Sequence, residues 1–74
     1  MERTLYRELW QIRFQKMLNL ELQAARDYQL LIERCRSLGG NAPVIECLEG
    51  LIRDEKRHAA LAKELLLILE RQKD

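Results

Sequence analysis

Apolar residues recur at alternating spacings of four and three along nearly the whole chain. From Trp10 the alternation picks out Phe14, Met17, Glu21, Ala24, Tyr28, Leu31, Cys35 and Leu38. From Val44 it picks out Leu48, Leu51, Glu55, His58, Ala62, Leu65 and Leu69. Such a period puts one apolar seam on an α-helix, the kind that fills a bundle core. Between the two runs lies "SLGGNAP", where the strong breakers other than Gly50 gather. Gly39 suits the left-handed residue that ends a helix, Asn41 can cap the next, and Pro43 fits a first turn. The pattern predicts helices over about residues 3–38 and 42–72, each roughly 45–55 Å long at 1.5 Å per residue. The short connection folds them into an antiparallel hairpin, an all-α single domain over residues 1–74.

A second apolar stripe runs beside the seam. It includes Leu5, Leu9, Ile12, Leu18, Leu22, Ala25 and Ile32 on the first helix. On the second it includes Ile45, Ile52, Ala59, Leu66 and Ile68. This exceeds what one hairpin can cover and predicts a partner. The chain's length agrees, since 74 residues bury too little surface to be comfortably stable alone. Charged residues, 34% of the chain, fall mainly on the outer faces, where Glu46 and Glu49 are expected to be solvated, Glu49 with help from Arg53.

Net charge changes the picture by exclusion. At +1, with acids and bases interspersed, there is no basic footprint for nucleic acid. No apolar run approaches the ~18 residues of a membrane span, and "MERTLYRELW" lacks the pattern of a signal peptide, so a cytoplasmic location is expected. Cys35 and Cys47 flank the turn and form no CxxC pair. A hairpin-stapling disulfide is conceivable, but buried free thiols are the simpler reading.

Candidate chemistry lies in the three ionisable residues that break the seam. Folding the hairpin about Gly39 and Gly40 sets Glu21 level with His58 and Ala24 level with Glu55, so Glu21, Glu55 and His58 form one cluster. A buried carboxylate without a partner costs several kcal/mol, which a small domain cannot absorb twice. A metal compensates. Glu55 and His58, three residues apart, project from one helix face, and carboxylates with an imidazole suit iron, manganese or zinc. One hairpin supplies only three protein ligands. Two hairpins about a two-fold axis supply two copies of Glu21 and of the Glu55/His58 pair, the ligand set of a di-iron four-helix bundle.

These residues resemble a family. Glu21, Tyr28 seven residues on, and "DEKRH" at positions 54–58 look like the first half of a ferritin-like domain, as in ferritin, bacterioferritin and rubrerythrin. The likeness spans both helices. The second helical pair of the larger relatives has no counterpart here, and in this the chain is similar to two-helix encapsulated ferritins, which build the site across a dimer. The resemblance implies Glu21 and His58 as terminal iron ligands and Glu55 as the bridge between two irons, repeated by the partner chain. It implies that Asp54 accepts the spare N–H of a partner His58. Tyr28, two turns from Glu21, would hydrogen-bond a ligand carboxylate or steady a radical. The ending "LERQKD" does not look like the tail that directs encapsulated ferritins into a protein shell.

Blander readings stand beside these. Tyr28 reads more simply as a core tyrosine, Asp54 equally as a surface ion-pair member, and Trp10, Phe14 and Met17 as core. Two function classes follow. One is an oxidoreductase, a ferroxidase that oxidises iron(II) with dioxygen or peroxide for storage or detoxification, with a rubrerythrin-like peroxidase as variant. The absence of a rubredoxin-type cysteine module favours iron oxidation. The other is an interaction protein, a helical dimer locked by a metal without turnover.

Overall fold

The computed structural model describes residues 2–72 and contains two α-helices, α1 (Glu2–Ser37) and α2 (Ala42–Arg71). They run antiparallel as a slender hairpin of 58 × 14 × 11 Å. Arg7 and Gln72 meet at the open end, where the Arg7 guanidinium donates to the Gln72 carbonyl at 2.8 Å.

The turn is built as its residues require. Gly40 N–H donates to the Cys35 carbonyl at 2.8 Å and Gly39 N–H to that of Arg36 at 3.2 Å, the paired bonds of a Schellman motif. Both glycines have positive φ, 103° and 73°, which a side chain would strain. The Asn41 side chain then accepts from Val44 N–H at 3.2 Å, and Pro43 occupies the first turn. Leu38 falls outside α1, and Gln72 is the C-cap of α2 rather than a helical residue.

The expected helix phase needs correction. The sequence reading placed Leu18, Ala25, Ile32, Ile45, Ile52, Ala59 and Leu66 in a spare stripe facing a partner. Instead Leu18, Ile32, Ile52, Ala59, Ala62 and Leu69 form the buried core between α1 and α2, with Leu66 packed against it. Trp10, Met17, Leu31, Val44 and Leu51, expected in the core, stand 41–49% exposed, and Leu38 at the turn is more exposed still. The physical reason is that two registers overlap. Both use the rows 14/21/28/35 and 48/55/62/69. The hairpin completes them with 18/25/32 and 45/52/59/66, leaving 10/17/24/31 and 44/51/58/65 along one open edge. Leu5, Leu9, Ile12, Leu22 and Ile68 of the spare stripe do remain exposed.

The two edges of the hairpin differ in character. One carries Gln15, Leu22, Gln29, Lys56, Lys63 and Glu70, and its surface grooves mix such polar side chains with Ile12, Leu22, Ile52 and Leu66. The other carries Trp10, Met17, Ala24, Leu31, Val44, Leu51 and Leu65, interrupted only by His58. Glu49 is half-buried, not solvated as expected, and makes no ion pair with Arg53. Among the described residues no helix is long and apolar enough to cross a membrane.

Gly50 lies inside α2 with no in-chain reason to be glycine, since an added Cβ would meet only the Arg53 guanidinium at an ordinary 3.7 Å. Gly50→Ala is therefore expected to stabilise the fold by about 1 kcal/mol through helix propensity. Urea unfolding followed by far-ultraviolet circular dichroism measures it. An unchanged or lower midpoint would contradict the expectation.

Candidate metal centre

Midway along the hairpin, α1 presents Glu21 and α2 presents Glu55 and His58 to the same point. One ligand atom from each lies within 4.8 Å of the other two, a separation at which a single ion can touch all three. The helical period brings Glu55 and His58 together, and the turn sets Glu21 level with them. Glu21 and Glu55 occupy the shared central rows and are half-buried, whereas His58 stands on the open apolar edge.

The electrostatics of the cluster are incomplete. His58 Nδ1 is 3.5 Å from Glu21 Oε2, with the side chains 49% and 26% exposed. That contact is an ion pair if the ring is protonated but not a hydrogen bond, and Oε2 is buried with no hydrogen-bond partner. A buried carboxylate oxygen left unsatisfied is costly, and a cation bound there would remove the cost. The donor set of two carboxylates and an imidazole also fits a divalent transition metal, so the residues present suit the group the sequence suggests.

The other expected residues are placed as follows. Tyr28 is half-buried in the same row as Glu21, and its hydroxyl makes no hydrogen bond among the described residues. Asp54 is exposed and pairs with Arg57 at 3.6 Å, not with His58 of its own chain. Trp10 stacks on Phe14 with ring centroids 5.4 Å apart, and the Arg13 guanidinium lies over the Trp10 ring. Both cysteines are free, Cys35 half-buried and Cys47 exposed, so neither a disulfide nor full burial holds. Just outside the open edge α1 also carries Arg13, Leu20 and Asp27 at seven-residue spacing, a row that the apolar alternation does not single out.

Compared with protein-family models, with curated proteins and with solved structures, the chain finds no match in any of the three.

Proposed function

We propose that this chain is half of a ferritin-like ferroxidase, two copies of which form a four-helix bundle with a di-iron carboxylate site at their interface. The observation that carries the proposal is the convergence of Glu21, Glu55 and His58 on one point at an open, apolar edge. Three ligands cannot enclose an ion, and an apolar edge is a poor surface to leave in water. A second copy on that edge answers both. It brings three more ligands and covers the exposed leucines.

In this reading Glu21 and His58 would be terminal iron ligands and Glu55 would be shared between the irons, as the family resemblance implies. Iron(II) is the substrate; two ions together give up two electrons, the number that reduces dioxygen to hydrogen peroxide or peroxide to water. The protein's share is to position and to compensate charge. The orphaned Glu21 Oε2 is held ready for a cation, and the flanking leucines exclude water once covered. Asp54 is two residue rows from the core on the open side, where it can accept the ring N–H of the partner's His58 and so fix that ring. Tyr28, in the same row as Glu21, would hydrogen-bond a ligand carboxylate, as the family resemblance implies.

Aerobic addition of iron(II) to the purified protein tests the proposal. Oxygen uptake in proportion to iron, ferric absorbance, and one bound iron per chain are the expected results. Tight binding of zinc or manganese with no oxygen uptake on adding iron(II) would overturn the oxidase and leave a metal-locked interaction protein.

A further inference from the structure

The rows along the open edge are Trp10, Met17, Ala24 and Leu31 on α1 and Val44, Leu51, His58 and Leu65 on α2. Apart from His58 and the Trp10 indole, Met17 is the one residue of these rows whose side chain is more than hydrocarbon. A leucine would fill the same space, since the two exchange at little cost in packing. What the thioether adds is a sulfur that can accept an oxygen atom.

That sulfur is placed beside the metal cluster. Met17 precedes Glu21 by four residues, one helical turn, so the two are neighbours on the surface of α1, about 6 Å apart along its axis. Glu21 in turn approaches His58 at 3.5 Å. Met17 is 45% exposed in the single hairpin, on the side that a second copy would cover. The other described sulfurs are remote. Cys35 lies about 21 Å along α1 from Glu21, and Cys47 about 16 Å along α2 from His58. Both are free thiols, and Cys47 is exposed.

We propose that Met17 is a modification site, oxidised to the sulfoxide by hydrogen peroxide released beside it, and that this oxidation loosens the dimer and so ends turnover. The inference rests on the reading of the cluster as a ferroxidase completed by a second copy, whose two-electron reduction of dioxygen supplies the peroxide. The sulfur lone pair attacks one peroxide oxygen. The S–O bond forms as the O–O bond breaks, and the other oxygen leaves with both protons as water. Sulfur gives up two electrons and the peroxide takes them, so no further oxidant or reductant enters.

The product is a different kind of side chain. A sulfoxide is polar and carries a strong acceptor oxygen, which the leucines, valine and alanine of the open edge cannot satisfy. Each dimer holds two copies of Met17, so oxidation of both sets two unsatisfied acceptors in one interface. Because the site is complete only with the partner in place, a loosened dimer stops making peroxide. The device limits itself, and methionine sulfoxide reductases can reset it.

The test adds iron(II) aerobically, in successive aliquots, to the wild-type protein and follows oxygen uptake together with the masses of the peptides carrying Met17 and Cys47. Toward free peroxide the exposed Cys47 thiol is the more reactive group, so peroxide added to zinc-loaded protein should oxidise Cys47 first. During turnover the order is expected to reverse. Met17 should gain one oxygen about tenfold faster than at the same dose of added peroxide, and catalase in the solution should leave that gain unchanged. Oxygen uptake with Met17 unmodified, or protected by catalase, would overturn the inference and leave the ferroxidase standing. No oxygen uptake would overturn both. Sedimentation reads the consequence for assembly. Met17→Gln, with a comparable polar acceptor, should weaken the dimer by about tenfold for each copy and about 100-fold in all. Met17→Leu should dimerise as the parent does and keep oxidising iron(II) through aliquots at which the parent has stopped. Parent and Met17→Leu losing activity together, or the sulfoxide form sedimenting as a dimer at the parental concentration, would overturn the control of assembly by Met17.

Discussion

Replacing Glu55 by alanine is expected to abolish iron(II) oxidation and to leave both helices standing. Glu55 sits in the central row of α2, half-buried, with its carboxylate within 4.8 Å of ligand atoms from Glu21 and His58. In the proposed site it is the ligand shared by both irons, so its loss removes a donor from each. Its removal should not unfold the chain, because it also removes a partly buried negative charge beside Glu21. The metal-free variant is expected to unfold at the same or a higher denaturant concentration than the parent. His58→Ala should weaken iron binding with less effect on charge balance. Glu46→Ala, on the solvated face, should leave turnover unchanged. Oxygen uptake and circular dichroism on the same preparations give the two readouts. Oxidation at the parental rate in Glu55→Ala would place the chemistry elsewhere.

The second large effect comes from two adjacent leucines. Leu30 and Leu31 are exposed to similar extents in the single hairpin, 58% and 49%. Judged from one chain, a glutamate at either position should cost within about 0.5 kcal/mol, as surface substitutions do. Leu31 belongs to the open apolar edge and Leu30 to the opposite face. If a second copy covers that edge, Leu31→Glu buries an unpaired charge there. The dimer should then weaken by 100-fold or more, corresponding to about 3 kcal/mol. Iron oxidation should fall with it, although Leu31 lies about 15 Å along the helix from Glu21 and touches no ligand. Leu30→Glu should leave assembly and oxidation intact. Sedimentation of both variants decides the point, and equal behaviour would remove the open edge from the interface.

The parts of this molecule legible in its sequence are those written locally. The turn could be read because Gly39, Asn41 and Pro43 each act through their own backbone preferences, and each is used as those preferences dictate. The meeting of Glu21, Glu55 and His58 could be read because a charge in an apolar row is conspicuous, and the three needed only the turn's position to be brought together. The phase of the helices was not legible. Rows 14/21/28/35 and 48/55/62/69 are flanked on one side by Leu18 and Ile32, and by Ile52 and Ala59. On the other they are flanked by Met17 and Leu31, and by Val44 and Leu51. Both sides are apolar, so periodicity alone cannot say which is covered by the chain itself. The rows one step further out help only on α2, where Lys56 and Lys63 lie beyond the side that the hairpin closes and Leu61 and Ile68 beyond the open one; on α1 both outer rows are mixed, Gln15, Leu22 and Gln29 against Arg13, Leu20 and Asp27.

The turn has a metrological role in this architecture. Glu21 precedes Leu38 by seventeen residues and His58 follows Asn41 by seventeen, so the two arms are measured off equally from a connection fixed by hydrogen bonds. One residue inserted within either arm would shift its ligand by about 1.5 Å and rotate it by about 100°, away from its counterpart, without disturbing helix propensity or composition. Two rigid rods joined at a stiff corner thus act as a caliper, and the separation of its jaws is set by counting residues. For the proposed site, the length between turn and cluster would then matter more than the identity of most residues along it, and changes that the outer faces accept as substitutions would disrupt the cluster as insertions or deletions.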